Sequence, residues 1–262
     1  MVTIGVDEGG VMMTRPDAPT LLLIHGFLDD ATVWDGLVEC LAGEVAAVRY
    51  DLPGFGTRSG STADASVITL EALAAEAGDI VAGIDGPVIV VGQSLGTQVA
   101  EMVAAQHPEH VRGLVLLTPV PLGGTRLPAE VVDPFRVLGG DRDAQRSLRA
   151  ELSPHLSDHE LDRLADIGAP VSADVTAHYV DVWNDGIEDP PAASEFVGPV
   201  MIIRGDADGF VTEQLVDAIS TRFVEPELKV IDKGGHWVHV EYAGLVAAMI
   251  LDFVDAIEEV AS

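Results

Sequence analysis

Cysteine is almost missing from this chain: Cys40 is the only one in 262 residues. A single thiol cannot close an intrachain disulfide, so a disulfide-built scaffold is excluded and a reducing compartment is expected. Cys40 falls in an amphipathic segment, which predicts a packed thiol. Basic residues are scarce as well. Lys and Arg number 14 against 43 Asp and Glu, a formal net charge of −29. Such a surface repels phosphate backbones and anionic lipid, so neither nucleic acid nor membrane is expected as a partner. It also disfavours anionic substrates. The acids are scattered, and solubility alone accounts for them. No apolar run is long and uncharged enough to span a bilayer. The basic-then-apolar pattern of a signal peptide is absent from the first residues. A soluble, cytoplasmic protein is the expectation, and a monomer and a homodimer fit equally.

Apolar residues make up 48% of the chain, enough for a sizeable core. Buried-strand runs alternate with amphipathic helical patterns. Thr20–Ile24, residues 45–50, Val88–Val91, residues 111–118, Pro199–Ile203 and Leu228–Ile231 read as strands. This alternation predicts a mostly parallel, doubly wound α/β sheet with helices on both faces. A weak β-hairpin is expected at residues 2–13. The alternation breaks over residues 119–198, which show short helical patterns and no strong strand. Ser157-Asp158-His159-Glu160 is a capping box, and Ser172 can cap a second helix. The expected organisation is a core over 1–118 and 199–262, with a helical lid inserted at 119–198.

One pentapeptide stands out. Gly92-Gln93-Ser94-Leu95-Gly96 lies between a strand and a helix. In that context G-x-S-x-G forms a sharp turn that exposes a serine hydroxyl above the sheet. A serine needs a base to become nucleophilic. Reacting groups in an open α/β sheet gather beyond the carboxyl ends of the strands, so the base should follow a later strand. His236, after the last strand and Gly234-Gly235, fits; His239 is its rival, with a surface role expected for it. No carboxylate follows residues 111–118, whereas Asp206 and Asp208 follow the Val200 strand. Asp208 has the better reach, and Asp206 is expected to tie down the turn. The backbone N–H groups of Leu95 and Phe27 are the expected oxyanion donors.

Together, His25-Gly26-Phe27, Tyr50-Asp51-Leu52-Pro53-Gly54-Phe55-Gly56, the Ser94 pentapeptide, Gly205-Asp206-Ala207-Asp208 and Gly235-His236-Trp237 resemble the α/β-hydrolase superfamily over nearly the whole chain. Within it the pattern is similar to small serine esterases and to the cofactor-free haloperoxidase, or perhydrolase-like, group. The resemblance implies a Ser94–Asp208–His236 triad in the chain order serine, acid, histidine. It implies a bracing role for His25 and no cofactor. Serine at the nucleophile position, and no Pro following His25-Gly26-Phe27, disfavour dehalogenase and epoxide hydrolase chemistry.

The expected activity is hydrolysis of small, mostly apolar esters or lactones through an acyl-serine. Perhydrolysis, C–C bond hydrolysis, cofactor-free dioxygenation and a non-catalytic small-molecule receptor are the alternatives. Phe27, Tyr179, Trp183 and Trp237 are candidate pocket residues, with core packing an equal reading for Tyr179 and Trp183. Trp34 is expected in the core. His155 and His159 have metal-ligand spacing, but a cap at Ser157 leaves His155 outside the helix, and no metal site is expected.

Overall fold

The computed structural model describes residues 18–59 and 68–261; the hairpin expected at residues 2–13 lies outside them. In chain order the elements are β1 (Thr20–Ile24), α1 (Asp35–Cys40), β2 (Ala47–Arg49), α2 (Leu70–Ala82), β3 (Val88–Gln93), α3 (Leu95–Gln106) and β4 (Val111–Leu117). Then come α4 (Ala129–Arg136), α5 (Arg142–Leu152), α6 (Asp158–Gly168) and α7 (Ala173–Asp185). The chain ends with β5 (Val200–Gly205), α8 (Glu213–Ser220), β6 (Glu227–Ile231), α9 (Val238–Glu241) and α10 (Ala243–Ala261).

The strands form one sheet in the order β2-β1-β3-β4-β5-β6, and every described pair is parallel. β1 and β3 consist almost wholly of buried side chains because helices cover both faces. The two-residue period of a strand divides them. Leu22, Ile24 and Val90 enter the layer with α2, α3 and α8, whereas Leu21, Leu23, Ile89 and Val91 face α1 and α10. Each such aliphatic side chain contributes about 1.5–3 kcal/mol when fully buried. The chain reverses its direction of strand addition between β1 and β3. Their carboxyl ends therefore flank a crevice, with Phe27 beyond one and Ser94 beyond the other.

Four helices fill the segment between β4 and β5. The Ser157 capping box is formed in full, and Ser172 caps α7. His155 consequently precedes α6. The sequence patterns indicate α6 and α7 but not α4 and α5. Helix α5 is mostly polar: its two fully buried residues are Gln145 and Arg149, while its apolar side chains Ala144, Leu148 and Leu152 are only partly buried.

Three packing expectations are corrected. Cys40 is exposed, because the six-residue α1 buries only Leu37. The spacing of Leu245, Met249, Phe253 and Ile257 predicts the inward stripe of α10, but that stripe is Val246, Ile250, Phe253 and Val254, and Leu245 is 46% exposed; a helix apolar on several sides does not choose its own stripe. His239 is fully buried rather than on the surface, because α9 is tucked beneath Trp34. Trp34 is in the core, as expected.

Candidate active site

Ser94 caps the N-terminus of α3 with φ 51° and ψ −121°, a conformation rarely held by a residue with a side chain. The turn needs its flanking glycines. A Cβ at Gly92 would lie 2.3 Å from the Gly96 carbonyl oxygen, and one at Gly96 would lie 2.3 Å from that of Ile24. The Leu95 amide opens α3 and has no intrahelical acceptor.

His236 follows β6 in a loop fixed from several sides. Its amide donates to Leu152 O at 2.9 Å. Its carbonyl accepts from Thr118 Oγ1 at 3.0 Å and Gln93 Nε2 at 3.2 Å. Its Nδ1 lies 2.7 Å from Oδ2 of Asp208. The other carboxylate oxygen, Oδ1, accepts from the amides of Phe210 at 2.8 Å and Val211 at 3.0 Å. Burial raises the Asp208 carboxyl; the His236 ring, its hydrogen bond and the two amides outweigh this, so the group sits below the usual carboxylate range. An ionised Asp208 only accepts, so Nδ1 of His236 carries the proton and Nε2 is left as the basic nitrogen. The other acid, Asp206, accepts from the Lys233 amide at 2.6 Å and braces the turn.

Ser94 and His236 line one cavity of about 490 Å³, counted out to its mouth. Phe27, Phe135, Trp183, Phe210 and Trp237 make most of its wall. The apolar lining, with few polar groups, is that of a small-molecule pocket.

The sequence pattern of the alpha/beta hydrolase family matches residues 21–249. The chain belongs to this family. A pimeloyl-[acyl-carrier protein] methyl ester esterase of Nitrosomonas europaea is 35% identical over 108 residues, 41% of this chain and 40% of that protein. In that match, the chain spans well under half of the relative's length. The esterase of the same name from Citrobacter koseri is 28% identical over 236 residues, 86% of this chain and 89% of that one. Among solved structures, a bromoperoxidase from Bacillus anthracis superposes with a TM-score of 0.80 at 17% identity, over 91% of this chain and 92% of that one; this likeness is one of fold.

Within this alpha/beta hydrolase, His25 stays out of the cavity wall. Its Nε2 accepts from the Leu52 amide at 2.9 Å, so Nδ1 holds the proton and donates to Gly26 O at 2.8 Å. Burial pushes its pKa down, keeping the ring neutral. Asp51 accepts from the amides of Ala31 and Thr57, each at 2.8 Å, and pins the turn after β2. Tyr179 is a packing residue and does not line the cavity. It is fully buried, stacks near Phe55 at 4.6 Å and donates to Pro53 O at 2.8 Å. Trp183 and Trp237 do line the cavity, as does Phe27.

Phe135, Leu148, Arg149 and Phe210 also line it, and sequence reasoning missed all four. Phe135 follows Pro134 inside α4, which masks the helical pattern. The one available signal was the position of Phe210, two residues beyond Asp208. Among the described residues, no helix is long and apolar enough to cross a membrane. No group of three or more His, Cys, Asp or Glu among them could hold a metal ion.

Proposed function

We propose that this chain is a serine hydrolase that cleaves small, mostly apolar carboxylic esters or lactones through an acyl-serine. The observation that carries this reading is the Asp208–His236 pair at 2.7 Å, opening on the same aromatic cavity as Ser94 at its strained turn. The ester activity in the names of the Nitrosomonas and Citrobacter relatives agrees with it.

In this reading Nε2 of His236 takes the Ser94 proton as Oγ attacks the ester carbonyl. The new oxyanion accepts hydrogen bonds from the Leu95 and Phe27 amides. Asp208 stays ionised and stabilises the imidazolium. His236 then passes its proton to the leaving alkoxide. Water, deprotonated by the same nitrogen, releases the acid from the acyl-enzyme. The aromatic wall accepts an apolar acyl or alcohol group, and the Arg149 guanidinium at the cavity is already paired with Asp29. We read residues 119–198 as a helical lid over the cavity, and the lone Cys40 and acidic surface as those of a cytoplasmic protein.

The test is turnover of p-nitrophenyl acetate and butyrate by the wild type and by Ser94→Ala, with intact-mass analysis of the acylated protein. The expected result is turnover abolished by Ser94→Ala and an acyl adduct on Ser94. Wild-type rates in the Ser94→Ala variant would sink the proposal.

A further inference from the structure

A charged cluster is buried against the cavity, between three segments distant in sequence. Arg149 of α5 is 1% exposed and Asp29, in the loop after β1, is likewise 1% exposed. Nη2 of Arg149 donates to Leu28 O at 2.6 Å and to Asp29 Oδ1 at 3.2 Å. Asp29 Oδ2 accepts the indole N–H of Trp237 at 2.8 Å. The guanidinium also lies 5.4 Å from the centroid of the Trp237 ring. Gln145, one turn earlier on α5, receives Nη1 at 3.3 Å and is itself anchored to Leu138 O and Gly168 O.

Burying an ion pair is expensive, and a well-packed apolar pair of similar volume is commonly as stable. What the charges add is direction. Leu28, next to Phe27, holds φ 61°, a left-handed conformation that persists only where the surroundings over-determine it. The Arg149 bond to the Leu28 carbonyl is one such determinant. On the other side Trp237 is the neighbour of His236, and its amide is held at 2.9 Å by Ser153, just past α5.

We propose that Arg149 is a positioning residue. Through Leu28, Asp29 and Trp237 it fixes the separation between the loop carrying the Phe27 amide and the loop carrying His236. Helix α5 is then a rigid wall of the site. The proposal rests on the reading of Ser94, His236 and Phe27 given above. Misplacing either loop by about an ångström costs on the order of 100-fold in rate.

The experiment measures kcat and KM for p-nitrophenyl butyrate, the rate of Ser94 labelling by a fluorophosphonate, and the thermal midpoint. The variants are Arg149→Met, Asp29→Asn/Arg149→Met and Trp237→Phe. Arg149→Met should lower kcat about 100-fold, slow labelling, and leave KM within about threefold of wild type. The double variant, which leaves no unpaired charge, should regain the wild-type midpoint without regaining kcat. Trp237→Phe, which loses the N–H but keeps an aromatic ring, should fold and lose about tenfold in kcat. Recovery of activity together with the midpoint would reduce the cluster to packing and overturn the proposal. A rise in KM at unchanged kcat would make Arg149 a substrate contact and also overturn it. A Ser94-dependent enzyme indifferent to Arg149→Met sinks this inference alone; activity that survives Ser94→Ala sinks the functional reading instead.

Discussion

His239 stacks against Trp34 with ring centroids 4.5 Å apart, and neither of its ring nitrogens has a hydrogen-bond partner among the described residues. Burial, with smaller contributions from His236 and Arg163, pushes its pKa down to about 3. Its folded-state pKa lies below the unfolded value, so the unfolded chain binds the proton more readily. This ring therefore adds no pH dependence well above the unfolded pKa. Stability falls as pH drops from about 6.5 towards 3, by up to about 1.4 kcal/mol per pH unit. Urea unfolding of wild type and His239→Leu from pH 8 to 4.5 measures it. The variant should match or exceed the wild type at pH 8, since it removes an unsatisfied buried group. Its advantage should grow steadily below pH 6.5. A constant difference across that range would mean that His239 is accessible to protons in the folded state.

Asp208→Asn tests the tautomer of His236. Oδ1 already accepts from Phe210 and Val211, so the new carbonyl oxygen stays there and the amide NH2 faces Nδ1. That nitrogen must then accept, which moves the ring proton to Nε2 and removes the base. The expected outcome is a loss of about 10³–10⁴ in kcat with the fold intact. Ester kinetics beside a circular dichroism spectrum measure it. A loss under tenfold would leave Asp208 a merely structural carboxylate.

Trp183→Ala tests the cavity wall. The indole packs edge-on against Phe27, Phe135 and Phe210. Removing it should destabilise the protein by about 3–5 kcal/mol and lengthen the acyl pocket. The ratio of kcat/KM for p-nitrophenyl octanoate to that for the butyrate should rise about tenfold, within the range that methylene-scale pocket changes produce. An unchanged ratio would place the acyl chain on another wall.

The sheet was legible because its signals are local. Apolar runs such as Val88–Val91 and the breakers between them fix strands without knowledge of their neighbours. The placement of Ser94, Asp208 and His236 beyond strand ends was legible because each follows its strand in a short, constrained turn. The cavity wall was not. Phe135 and Arg149 reach it only through the packing of α4 and α5, and the most deeply buried residues of α5, Gln145 and Arg149, are polar. His239 and Leu245 were misread for a related reason: tertiary contacts with Trp34 and α9, not periodicity, decide which side of the C-terminal segment is covered. Cys40 shows the same limit at the end of a short helix.

The all-parallel sheet also sets the order in which the molecule can be assembled. No described strand pairs with a neighbour across a tight turn, and β4 meets β5 only after the whole α4–α7 segment has been looped out. High sequence separation of contacts slows folding, so a slow refolding reaction follows from the topology. The bonds from Leu152 and Ser153 to the His236 loop require both the inserted helices and the last strand to be in place. Recovery of secondary structure should accordingly precede recovery of turnover when the denatured chain is returned to native buffer.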